Sequence, residues 1–248
     1  MTSFLRDRPV AWLVAILVGI GAPACAMLLL AAGPAPVSLA PVGGTILAVG
    51  LMGVGMIGTA AAGRLGLGLL LAILTGVGLI LLALALGMAP LSHPFSAAVS
   101  LSIASLSFAA RGALFARSAA DRGWWIALFV VAGEVSIVLT ALALPGALPD
   151  WLLALLPAQW ASVAIQAALT GTGIGGASSV LFALAGTAAA TLLVARLWPR
   201  RWPYLVMFTT WLALSALVLH RPGPPLPRAD SAIAEPPASV SAPFASPA

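Results

Sequence analysis

The chain has 248 residues, 62% of them hydrophobic and only 7% charged, with a formal net charge of +5. So few charges exclude a soluble globular domain of this length, and the solvent they imply is lipid. The basic groups are eleven arginines and no lysine, placed singly or in small groups at the ends of apolar runs, so a nucleic-acid-binding surface is excluded as well.

The first apolar run, 10–32, follows Met-Thr-Ser-Phe-Leu-Arg-Asp-Arg. It is too long for the core of a typical signal peptide and is expected to stay as the first span. It contains Cys25, the single cysteine, which leaves no intramolecular disulfide; its expected role is that of a small buried apolar side chain. Further runs follow at 42–62, 66–88, 95–116, 124–144, 151–170, 177–197 and 203–220. Each is near the roughly 20 residues that a helix needs to cross a hydrocarbon core. Backbone groups in that core must be satisfied within the segment, and the runs are continuous rather than alternating, which predicts helices. The expected fold is an all-α, polytopic bundle of about seven transmembrane helices, with a re-entrant or eighth helix near 151–170. Residues 1–220 form this single domain; 221–248, rich in Pro, Ala and Ser, read as a disordered tail.

Arginine placement predicts orientation. Arg6, Arg8, Arg64, Arg117 and Arg122 fall on one side, and the loops 33–41 and 90–94 on the other have no arginine. The N-terminus is therefore expected in the cytoplasm of a cell membrane, the inner membrane of a bacterium. If 151–170 crosses, Arg196, Arg200 and Arg201 fall outside; if it dips in from the outer side and returns, they join the others. The returning path puts the tail, with Arg221 and Arg228, outside. Pro145, Pro149 and Pro157 punctuate the segment and suit short helices. Gln159, Ser162, Gln166 and Thr170 fall within about 80° of one another on a helix wheel. Such a polar stripe suits a protein wall or a wet cavity at membrane depth, or amides bonded to neighbouring helices in an ordinary span.

Glu134 stands in the middle of the fifth run, where a carboxylate costs at least about 2.5 kcal/mol and needs a partner. Arg111, on the fourth run, lies within reach of it and shares a face with Ser96, Ser100 and Ser107. This stripe has two readings, a substrate path with an anion contact or an interhelical ion pair with serines that permit close packing. Gly50, Gly53, Gly55, Gly58, Thr59 and Gly63 on the second run predict close helix packing. Two histidines and one cysteine, far apart in sequence, predict no metal site, and no phosphate-binding loop motif is present, so no cofactor is expected.

Gly175-Gly176-Ala177-Ser178-Ser179 resembles the serine motif of rhomboid intramembrane proteases, with Ser178 at the nucleophile position and Ser179 in place of the following glycine. The resemblance implies an outer-face hydrolase with His93 or His220 as base. Against it, His220 ends the very next run, and the chain contains no asparagine to support an oxyanion. The order of spans, the outer hairpin with Leu156, Pro157 and Trp160, and the end Ala-Arg-Leu-Trp-Pro-Arg-Arg resemble the membrane subunit of ABC-2-type exporters over about residues 10–201. The run 203–220 and the tail are additions to that pattern, and the amphipathic helix that usually opens it has no room here. The resemblance implies a permease subunit working with a separate ATPase, a homodimer, and Glu134, Arg111 and the glutamine stripe along the path. The alternative is a non-catalytic structural or assembly subunit of a larger membrane complex, favoured by the small loops and few polar groups.

Overall fold

A computed structural model of the chain describes residues 4–33, 41–88, 91, 93–170, 173–199 and 202–220; the predicted tail lies outside them. Every regular element among these residues is helical. We number them α1 (4–32), α2 (43–62), α3 (Leu65–Ala85), α4 (Pro94–Ala119), α5 (Gly123–Ala143), α6 (Asp150–Ala154), α7 (Pro157–Leu169), α8 (Ser178–Leu197) and α9 (Trp202–His220). A turn of helix at Gly173–Gly176 precedes α8.

Six helical stretches among the described residues are long and apolar enough to cross a membrane: Pro9–Ala32, Gly43–Ala62, Leu65–Ala85, Pro94–Ala143, Ser178–Leu197 and Trp202–His220. The fourth holds two helices, because Ala120 at φ 45 breaks it and α5 folds back along α4. These stretches fit a multi-pass membrane protein. The outward-facing residues agree: Leu29, Phe129 and Leu205 are each about 70% exposed, an arrangement that suits lipid rather than water. Cys25 faces outward too, against the expectation of a buried side chain, because α1 packs on the bundle along only a narrow strip.

Residues 151–170 do not form one long helix. The residue before a proline is pushed out of the helical region, and Leu156 accordingly sits at φ −97, ψ 113. Pro157 then takes the first position of α7, where a missing N–H costs nothing. The result is a five-residue α6 and a thirteen-residue α7 joined by a sharp bend.

Small residues set how the helices run. Gly53 lies against Gly19, where a Cβ would come within 2.8 Å of the Gly19 Cα. Gly58 faces Trp12 and Gly50 faces Pro23, so α1 descends as α2 rises. Gly55 meets Phe108 and Ala109, and further along Gly112 meets Met56 and Thr59, so α2 and α4 run parallel. The α2 helix stops at Gly63, whose φ of 66 closes it in the left-handed region that glycine tolerates. Leu114 near the end of α4 shares a buried cluster with Val194 and Ala195 near the end of α8. Arg6 and Arg8 in the first turns of α1 therefore sit at the same end of the bundle as Arg64, Arg117, Arg122 and Arg196. We call this the arginine end.

Candidate functional site

The α6–α7 bend is placed by polar contacts in an apolar bundle. Leu156 has no side chain able to cap α7, so the free N–H groups of its first turn need a hydrogen-bond acceptor from elsewhere. Glu134, in the middle of α5, provides it: the Ala158 N–H donates to Glu134 Oε2 at 3.0 Å. The positive end of the α7 dipole favours the carboxylate. Carbonyls freed at the bend are satisfied by indoles, with Trp160 Nε1 donating to Ala154 O at 3.0 Å and Trp211 Nε1 to Leu155 O at 3.2 Å. Every such group needs a partner where water is absent.

The other carboxylate oxygen, Glu134 Oε1, accepts from Arg111 Nη1 at 3.3 Å. Arg111, the candidate partner of Glu134, is thus within ion-pair distance of it. Both are nearly buried, with side-chain exposures of 14% and 11%. A buried pair of this kind is expensive to break, because either charge alone would be left uncompensated.

Beside the pair lies an open-sided cavity of about 570 Å³, lined by α4, α5, the α6–α7 bend, α8 and α9. Arg111, Glu134, Thr187 and Thr191 are its polar residues. The threonine hydroxyls donate to their own helix, Thr187 to Ala183 O and Leu184 O, and Thr191 to Thr187 O. The rest of the wall is apolar, with Leu114, Phe115, Leu156 and Met207 among it.

The expected stripes are divided by the fold. Ser96, Ser100 and Ser107 are buried but do not line this cavity, and Ser107 Oγ has no hydrogen-bond partner among the described residues. Ser105 and Thr59, also buried, likewise have hydroxyls without a partner among those residues.

The α7 stripe faces α2 instead of the cavity. Ser162 Oγ and Thr45 Oγ1 share a hydrogen bond of 2.7 Å, and Gln166 Oε1 accepts from the Gly44 N–H at 2.9 Å, capping the start of α2. Thr170 Oγ1 returns to Gln166 O at 2.9 Å. Gln159 is half-buried and makes no side-chain hydrogen bond among the described residues.

These contacts give α7 its direction. Its first turn touches the middle of α5, and its last turns touch Gly44, the end of α2 opposite Arg64. Leu169 and Met88 also lie beside Gly43, at that same end. α7 thus runs from the mid-level of α5 to the Gly44 end of α2.

Ser178 Oγ is exposed and donates to Gly175 O at 3.2 Å, a bond local to the helix start; it makes none with His93 or His220. No group of three or more metal-ligating side chains gathers among the described residues.

The remote cap on α7 and the contribution of Thr187, Thr191 and Trp211 to the cavity were not foreseen from sequence. One signal was available for the cap: Leu156-Pro157 opens a helix with no local capping side chain. No family model, curated protein or solved structure matches the chain.

Proposed function

We propose that the chain is a membrane-embedded permease subunit, with the cavity beside Arg111 and Glu134 as the place where a transported molecule is held. The observation that carries this reading is a buried charged pair placed at the wall of a cavity and at the start of a broken helix. A bent helix pair with its half-helix start aimed at a mid-level charge is the device transporters use where a substrate must be met inside the bilayer. On this reading the α6–α7 pair is a re-entrant hairpin from the outer side, and the arginine end is cytoplasmic. The order of helices around the hairpin keeps an exporter of the ABC-2 type, with a separate ATPase subunit and a dimer, as the working arrangement.

A structural or assembly subunit is the second reading, favoured by the α7–α2 contact. There Ser162 and Gln166 of the polar stripe are taken up by packing, as a scaffold requires, and none of the stripe lines the cavity. The hydrolase reading of Ser178 rests on the motif alone.

One set of strains tests both function and topology. Deleting the gene should leave a small molecule retained in the cells and depleted from the medium. The wild-type gene should restore its distribution, and an inserted, folded Glu134→Gln protein should not. An unchanged distribution between cells and medium sinks the permease reading. In a Cys25→Ser background, single cysteines replacing Ala147 and Gly175 should both react with an impermeant thiol reagent on intact cells, and one replacing Ser118 only after opening them. Reaction of Ala147→Cys and Gly175→Cys from opposite sides would mean the segment crosses.

A further inference from the structure

We propose that the cavity binds a single-chain amphiphile whose anionic head, a carboxylate or a phosphate, is held by Arg111. The inference deepens the transport reading and rests on it only for calling the amphiphile a substrate.

The donor inventory points to an anion. A guanidinium carries five N–H donors in a planar fork that matches carboxylate and phosphate oxygens. Among the described residues Arg111 donates to a single protein oxygen, at 3.3 Å, which is longer than the roughly 2.7–2.9 Å of a strong charge-assisted bond. Glu134 does not depend on Arg111 alone, since its other oxygen is held by the Ala158 N–H at the start of α7. Among the described residues Arg111 therefore has unengaged donors beside an open space, and the carboxylate next to it holds a second hydrogen bond on its far side.

The walls point to an apolar chain. The hydroxyls of Thr187 and Thr191 are turned to their own backbone, and the indole N–H of Trp211 is engaged by Leu155 O. A sugar or nucleoside placed here would leave hydroxyl and amide groups unpaired against carbon. A cationic head would face the Arg111 guanidinium, and each Glu134 oxygen already accepts one hydrogen bond. At about 570 Å³, within the roughly 300–1,000 Å³ of small-molecule sites, the space has room for a head and one chain. The exposed Arg117, Arg122 and Arg196 at the nearer end of the bundle would draw anionic molecules toward it.

The test uses the full chain in lipid nanodiscs and three photoactivatable probes: a diazirine-bearing palmitic acid, its methyl ester, and a lysophosphatidate with the same chain. Cross-linked peptides are mapped by mass spectrometry. The acid or the lysophosphatidate should label peptides of α8 and α9 that line the cavity about tenfold more than the ester, the discrimination expected of a charge-assisted contact. Labelling by the acid alone identifies a free carboxylate as the head, and labelling by the lysophosphatidate alone a lipid phosphate. Thr191→Trp, which fills the space without touching the ion pair, should abolish the labelling; the ester comparison needs no variant and stands even where Thr191→Trp fails to fold. Equal labelling by acid and ester overturns recognition by Arg111, and absence of label from these peptides overturns the site. A labelled cavity with unchanged export on gene deletion would sink the permease reading and keep the site. An unlabelled cavity with a retained solute would do the reverse.

Discussion

The two ends of α7 solve the same problem differently. At its start, backbone donors are met by a charged side chain from another helix, and that charge borders a cavity of about 570 Å³. Toward its other end, Ser162 and Gln166 meet α2 through neutral hydrogen bonds of 2.7 and 2.9 Å, with the two helices so close that Gly44 has no room for a side chain. Both ends are polar, yet they differ in what they leave over. The neutral contact fixes a helix crossing; the charged one gives each carboxylate oxygen one hydrogen bond and, among the described residues, engages one of the five arginine donors. Polar residues in an apolar bundle therefore point to function less by being buried than by having hydrogen-bonding capacity left over beside an open space.

The largest effect should come from the charged end. Glu134→Ala removes the partner of Arg111 and the cap of α7 together, and should destabilise the protein by about 3–5 kcal/mol in detergent unfolding titrations. The double variant Arg111→Met with Glu134→Gln leaves no buried charge unpaired and keeps an oxygen for the Ala158 N–H, so it should recover most of that loss. If the double variant is as unstable as the single one, the pair is not what holds the bend.

How far this contrast can be read from the sequence follows from how local each cause is. Span positions are legible because apolar length and glycine spacing act within a segment. The bend at Leu156-Pro157 is legible because proline constrains its own predecessor. Arg111 is legible as a candidate partner for Glu134 because each lies at a computable depth on one of two adjacent helices; whether the two pair or line a path is not. The two stripes were legible as stripes but not as destinations. Which neighbour Ser162 and Gln166 would meet depends on the path of α7 through the bundle, and Thr45 and Gly44 are more than a hundred residues away in sequence. The cavity is less legible still: Thr187, Thr191 and Trp211 come from helices whose one-dimensional pattern says only that they are apolar.

The close contact at the other end of α7 makes an intermediate prediction. A Cβ on Gly44 would lie 2.6 Å from Ser162 O and 2.8 Å from Gln166 N, both backbone atoms that cannot swing aside. Gly44→Ala must push α2 and α7 apart, and should cost about 1–3 kcal/mol by the same unfolding titration. A neutral result would mean the helices are not held at backbone distance, and that Gln166 does not need to reach the start of α2.

The smallest effect tests whether the neutral end is only packing. Thr45→Val and Ser162→Ala each remove one hydroxyl of a pair that bonds at 2.7 Å. A double-mutant cycle isolates the bond from the separate changes in packing. Within apolar bundles such bonds average about 0.6 kcal/mol, with a ceiling near 1.7, because the separated helices find other partners. A coupling in that range keeps the contrast between the two ends of α7, since breaking the ion pair should cost several times more. A coupling comparable to the loss in Glu134→Ala would erase it. The hydroxyl pair would then rank with the ion pair as an anchor of α7, and the charge at Glu134 would need another reason, of which the cavity beside it is the nearest.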